Sequence, residues 1–421
     1  MKSQINLSKI RFLEFLIAIS FILPYVEIRL IRNLLEYKKN GLIIPPSIFL
    51  MLFFIITLSI AILVKNKKAN NNYLGSILFY KILLDFIILI RGLFSNNISL
   101  FIIQYFWFVV PFYYAIVVMR FISCFDLNIS NIGKIGIAFF CLYLCINVCI
   151  NILYYGFSFD SSVFSRLLST GGGPVVLGYT IVIITCYLII DKKSISSKNF
   201  VIAIIILFIG SIFTGSRGSI WPITIIIFLY FISKKRNMFQ ILCLLAFFMV
   251  VIISNPIELL INFVPRIANL QDSARYETLK SSLEMFSELP LLTQLFGIGL
   301  GQCFPYQYWL SNSSMLYLLS YNTFLYNGHI LLVQPHNTFI YMLLENGIIG
   351  LIIFIIIFIK AFKLIKKGLK PRKFSYIFLL CFIILNALDS ILIIQPGTSG
   401  LWWILLFMVL YKSYSDANIN Y

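Results

Sequence analysis

Residues 334–360 read QPHNTFIYMLLENGIIGLIIFIIIFIK, a histidine and an amide standing directly before a long apolar run. Pro335 suits a helix start, because the N–H it lacks is one that the first turn leaves unpaired. Gly347 and Gly350 follow His336 by nearly whole numbers of turns, so an unbroken helix puts all three on one face. Small residues there let a neighbouring helix pack closely beneath the histidine. Apolar runs of this kind recur from end to end of the 421 residues, which are 60% hydrophobic, 17% aromatic and only 11% charged. Soluble chains carry about 25% charged residues, and runs this long and apolar belong to membrane-spanning helices. None shows the residue-by-residue alternation of a membrane β-barrel.

The reading is therefore an all-α polytopic membrane protein of about twelve transmembrane helices with one large extracytoplasmic loop. Spans are expected near 12–31, 42–64, 74–93, 98–119, 132–153, 174–190, 199–215, 218–232, 238–254, 336–359, 374–394 and 399–411. Residues 1–254 then carry nine helices, 255–335 form the loop, and 336–421 carry three. The start, with Lys2, Lys9 and Arg11 before an apolar stretch, is similar to a signal peptide. It lacks a small-residue cleavage site, which predicts a retained first helix.

A net charge of +18 in a soluble chain would suggest nucleic acid. Here the basic residues lie in short connections, and no nucleic-acid partner is expected. With the N-terminus cytoplasmic, 22 of the 33 Lys and Arg fall on the inner side, in the termini and around 65–68, 120–134, 192–198, 234–236 and 360–373; ten fall outside, and Lys81 lies within a span. That asymmetry is the positive-inside pattern and places both termini in the cytoplasm. The eight cysteines form no disulfide framework; Cys141, Cys145 and Cys149 share one helix face and read as small apolar packing residues.

Loops beyond about 15 residues in compact proteins are usually functional. The 255–335 segment contains an apolar helical stretch, SSLEMFSELPLLTQLF at 281–296, then GIGLG at 297–301, then aromatics among Asn and Ser that suit a sugar-binding surface or an interfacial belt. Arg217, in TGSRGS at 214–219, sits at an outer hairpin with no other charge nearby. Hydroxyls, glycines and a guanidinium fork suit an anionic group, and the position equally suits an arginine snorkelling to headgroups. Arg275 precedes the loop helix, where it binds an anion or pairs on the surface with Asp272 or Glu277. His336 at a helix N-terminus is placed to accept a proton, or is simply packed there; Asn337 beside it is placed to orient a hydroxyl. Lys81 and Asp85, one turn apart inside a span, predict an intramembrane ion pair. Glu345 lies mid-helix, nearly opposite His336 in azimuth. No Asp-x-Asp or adjacent acidic pair lies in an outer loop, and P-loop, GxSxG and HExxH motifs are absent from the sequence.

Taken together, TGSRGS at 214–219, ARYETLKSSLEMF at 274–286 leading to GIGLG, and His336-Asn337 followed after nine residues by Gly347 and then Gly350 resemble the O-antigen ligase/polymerase family of bacterial membrane glycosyltransferases. The likeness covers roughly 170–360. It implies a metal-independent, inverting enzyme without cofactor, acting at the outer face of the cytoplasmic membrane on a saccharide carried by undecaprenyl diphosphate. Arg217 and Arg275 would bind the diphosphate, with Arg266 and Arg166 as further candidates, and His336 would activate or position the acceptor hydroxyl. The implied surroundings are the lipid bilayer, a chain-length regulator and a flippase. A polymerase adds the chain to a lipid-linked repeat unit, whereas a ligase moves the finished chain to lipid A core or another acceptor. Polymerase is the expectation, because the loop between GIGLG and His336 looks particular to one repeat unit. A lipid-linked oligosaccharide flippase is the competing class, but it should line its helices with charge, which this chain does not.

Overall fold

The computed structural model describes residues 2–19, 21–22, 46–65, 74–95, 98–155, 173–214, 216–233, 279–280, 282–283, 286–302, 324–326, 329–331, 335–367, 373–389 and 391–418. These are helical almost throughout: α1 Lys2–Ile19, α2 Pro46–Lys65, α3 Gly75–Leu93, α4 Ile98–Cys124, α5 Ile129–Tyr155, α6 Gly173–Ile190, α7 Ser197–Phe213, α8 Arg217–Ser233, α9 Leu291–Phe296, α10 Thr338–Lys367, α11 Lys373–Leu388, α12 Ile391–Ile394 and α13 Pro396–Asn418. One departure from an all-helical chain is a short antiparallel hairpin, β1 Phe324–Tyr326 with β2 His329–Leu331, inside the long 255–335 segment.

A helix meets every expected span except 238–254, which lies outside the described residues. Among the described residues, four helices are long and apolar enough to cross a membrane, at Ser47–Lys65, Phe101–Cys124, Ile129–Ile150 and Thr338–Lys367, and four shorter apolar helices accompany them. The chain is an integral membrane protein. Apolar side chains such as Phe53, Leu63 and Val64 stand exposed on α2, as a lipid-facing surface requires. Boundaries differ in two places: the first helix starts at Lys2 rather than near 12, and α13 spans 396–418 where 399–411 was expected. The apolar stretch at 281–296 is also interrupted: Pro290 is extended and α9 begins only at Leu291, since proline cannot donate to the preceding turn.

The chain divides into two compact units, residues 1–129 with 273–421, and residues 130–272. In the first, α13 is the core. Residues 396–410 are buried on all sides, as a helix that is apolar all round must be. Its Trp403 packs against Phe112 of α4 at a ring separation of 5.0 Å, against Phe382 of α11 at 5.7 Å and against Phe358 of α10 at 6.4 Å. Buried Gln104 of α4 donates to the Ile393 carbonyl at 2.8 Å and so satisfies the end of α12. Lys81 and Asp85 form the expected ion pair within α3; Lys81 also lies 4.3 Å from the Phe108 ring centroid, and the Tyr113 hydroxyl donates to Asp85 at 3.0 Å. In the second unit α6 is the buried centre, packed by α7 and α8. Along α5, Cys141 is buried, Cys145 half-buried and Cys149 exposed, all as free thiols.

Candidate functional site

Asn337 starts α10. Its carbonyl accepts the first helical bond from Tyr341 N at 2.9 Å, and its side-chain Oδ1 accepts from Phe339 N at 2.9 Å and Ile340 N at 3.1 Å. Those are the contacts of an N-cap, which satisfies N–H groups that the first turn otherwise leaves open. Pro335 and His336 therefore precede the helix instead of forming its first turn, and the amide expected to orient a hydroxyl is engaged by the backbone. His336 takes a left-handed conformation, φ 46°, which turns the chain into the helix.

The position of His336 is set by α11. The Thr338 hydroxyl lies 3.1 Å from Asn386 Oδ1 and 3.0 Å from the Asp389 carbonyl, and donates its one proton toward those acceptors. The Asn386 amide in turn donates to the Phe382 carbonyl at 2.8 Å. This buried clasp brings the start of α10 against the end of α11, and there the His336 Nδ1 stands 3.7 Å from Asp389 Oδ1. That separation is an ion-pair distance rather than a hydrogen bond. The imidazole side chain is 36% exposed and the carboxylate 9%. Nδ1 is thus the ring nitrogen that faces the carboxylate, without a hydrogen bond to it. Asp389, in NALDS at 386–390, was not singled out in the sequence, because its partner lies on another helix.

Below the histidine, α10 is broken. Gly347 has φ 68° and ψ −174°, a region essentially restricted to glycine. His336, Gly347 and Gly350 therefore do not lie on one continuous helical face; the azimuth drawn for Glu345 fails because His336, left-handed and before the N-cap, is not part of the helix. The break receives the GIGLG turn. Ile298 N donates to the Leu344 carbonyl at 3.0 Å and Gly299 N to the Glu345 carbonyl at 2.9 Å. Gly297 is left-handed, φ 81°, and a Cβ there would run into the Glu345 carbonyl; a Cβ at Gly347 would run into the Leu295 carbonyl. Backbone thus packs on backbone at the break. From the C-terminal end of α3, Arg91 Nε donates to the Gly297 carbonyl at 2.8 Å and Nη1 to the Phe94 carbonyl at 3.2 Å.

Arg217 is the first residue of α8, in the second unit. The hydroxyls around it, expected to face an anion, are turned inward. Thr214 Oγ1 donates to the Ser211 carbonyl at 2.7 Å, Ser219 Oγ to the Ser216 carbonyl at 2.8 Å, and Thr214 Oγ1 and Ser219 Oγ lie 3.3 Å apart. All four of these residues are buried. The hairpin sits tightly on α6: a Cβ at Gly178 would come within 2.7 Å of Ser219 Oγ, and one at Gly218 would meet the Tyr179 ring. The hydroxyls of Thr214 and Ser219 and the close approach at Gly218 thus build the hairpin.

Arg275, Arg266 and Arg166 lie outside the described residues. Of the expected site residues the structure brings together His336 and Asn337, and adds Asp389; Arg217 belongs to the other unit. Among the described residues no group of three or more His, Cys, Asp or Glu is arranged to hold a metal ion.

The O-antigen ligase family model matches residues 202–355. That segment runs from α7 through the TGSRGS hairpin and the glycine turn to the second part of α10, so it contains Arg217, Arg266, Arg275, His336 and Asn337 but neither Arg166 nor Asp389. No curated protein matches the chain.

Proposed function

From a chain that carries an O-antigen ligase family segment at 202–355, we propose a glycosyltransferase of the outer face of the bacterial cytoplasmic membrane, crossing it about twelve times with both termini inside. The donor is a saccharide on undecaprenyl diphosphate. The acceptor is a hydroxyl of a lipid-linked repeat unit, and the product is a lengthened polysaccharide of O-antigen or capsule type. The observation that carries the reading is the partly exposed His336 beside the largely buried Asp389 at the outer ends of α10 and α11.

The acceptor O–H attacks the anomeric carbon, the bond from that carbon to the diphosphate oxygen breaks, and the lipid diphosphate leaves. His336 Nε2 takes the hydroxyl proton, and Asp389 stabilises the imidazolium. A single in-line displacement inverts the anomeric centre. Arg217 and Arg275, with Arg266 and Arg166 as further candidates, stabilise the charge that develops on the leaving diphosphate. The description of the matched family favours a second reading, transfer of the finished chain to lipid A core or another acceptor by the same groups.

The test is product analysis. The protein in liposomes receives its lipid-linked repeat unit, and mass spectrometry reads the products for the wild type, His336→Ala, Asp389→Asn and Arg217→Ala. A ladder of lipid-linked oligomers that disappears in His336→Ala and Arg217→Ala is the expected result. Transfer only on adding lipid A core makes the protein a ligase. No new glycosidic bond with a competent substrate removes the enzyme reading.

A further inference from the structure

The peptide unit between Gly297 and Ile298 is held from both sides. Its carbonyl accepts from Arg91 Nε at 2.8 Å, and its N–H donates to the Leu344 carbonyl at 3.0 Å. One residue later, Gly299 N takes the Glu345 carbonyl. Arg91 adds a bond to the Phe94 carbonyl, so its guanidinium spans the capped end of α3 and the glycine turn. In an unbroken helix the Leu344 and Glu345 carbonyls would serve residues 348 and 349; here the turn supplies them with donors, and Gly347 is free to bend. The bend sets the direction of the segment 338–346, and that segment carries Asn337 and His336 at its start.

We infer that Arg91 is a positioning residue. By clamping the Gly297 carbonyl it holds the glycine turn in the break of α10, and so fixes where His336 stands relative to Asp389. This rests on His336 being the proton acceptor proposed above. Only an arginine fits the role, since two of its donors diverge onto two backbone carbonyls that belong to different segments. Two of the five N–H groups of the guanidinium are taken by protein carbonyls.

The experiment uses the full chain in lipid nanodiscs, with two readouts. Hydrogen exchange followed by mass spectrometry monitors the amides of 297–301, and turnover is measured with undecaprenyl-diphosphate-linked oligosaccharide extracted from the native host. For Arg91→Gln we expect exchange in 297–301 to quicken about tenfold or more, as loss of a charge-assisted bond implies. We expect kcat to fall about 10- to 100-fold, the scale of a catalytic group misplaced by an ångström, with KM within about twofold. Arg91→Lys, which keeps the charge but replaces the planar fork with a single ammonium, should fall between. Gly297→Ala, with Arg91 intact, opens the turn from its other side and should reproduce both effects; it carries the test if Arg91→Gln does not accumulate. His336→Ala should abolish turnover and leave the exchange unchanged. Wild-type exchange in both Arg91→Gln and Gly297→Ala overturns the inference, as does a rise in KM in Arg91→Gln without faster exchange, which would put Arg91 on substrate. If the wild type turns nothing over while Arg91→Gln still loosens 297–301, the clamp stands and the proposed reaction falls.

Discussion

Replacing Lys81 by methionine tests how much the buried ion pair within α3, with its contacts to α4, contributes to stability. Lys81 is 1% exposed, ion-paired to Asp85, and lies 4.3 Å from the Phe108 and 5.2 Å from the Phe112 ring centroids. Asp85 has in addition only the Tyr113 hydroxyl at 3.0 Å among the bonds resolved to its carboxylate. Removing one member of a buried pair costs about 3–5 kcal/mol, because the survivor is left uncompensated in a dry site. Lys81→Met strands a carboxylate that one hydroxyl cannot satisfy, so we place it near 4 kcal/mol. Asp85→Leu leaves the ammonium with two ring faces, a contact of about 2 kcal/mol when desolvated, and should cost nearer 3 kcal/mol. The double change removes both charges and restores apolar contact, which for buried pairs is near neutral. The cycle should therefore show a coupling of about 3 kcal/mol or more. Unfolding in detergent micelles titrated with SDS, followed by tryptophan fluorescence, measures all four corners. Additive losses in the double variant would refute the reasoning, since Lys81 and Asp85 would then contribute independently.

Gly347→Ala forces a β-carbon into a glycine-only conformation and against the Leu295 carbonyl; we expect a loss of about 2–4 kcal/mol, while Gly75→Ala, where nothing lies within 4 Å, should stay near wild type in the same assay. Asn337→Ala removes both cap bonds and should cost about 1 kcal/mol. Asn337→Asp keeps an acceptor for Phe339 N and Ile340 N and should restore stability in thermal unfolding, an outcome that a substrate-binding amide would not produce. Gly178→Ala pushes on Ser219 and so on the hairpin that opens with Arg217; donor KM should rise about tenfold with kcat little changed, the signature of lost ground-state binding.

The helices were legible because each apolar run is a local property that membrane insertion reads almost directly. The Lys81–Asp85 pair was legible for the same reason, since both partners sit one turn apart on one helix. What was not legible depends on segments that meet only in space. Asp389 is an unremarkable acid at the end of α11 until Thr338 and Asn386 bring it to His336. Gly347 reads as a small packing residue in a continuous helix, because the donors that allow the break come from Ile298 and Gly299, far earlier in the chain. Asn337 is the instructive error. Asparagine before an apolar run is a plain capping signal, and it was overridden by placing Pro335 at the first helical position.

The order of these segments along the chain has a consequence for how the protein is made. A translocon meets 338–359 as one stretch that is apolar apart from Thr338, Tyr341, Glu345 and Asn346. The glycine turn is synthesised earlier, so it is already in existence when α10 is inserted. The helix therefore enters whole and opens afterwards, as the Leu344 and Glu345 carbonyls pass from their own helix to the amides of the waiting turn. The two carbonyls exchange one donor for another, while the N–H groups of Ile348 and Ile349 give up those acceptors as the first donors of the second part of α10. On that order of events, the break in α10 forms only after the helix has been inserted.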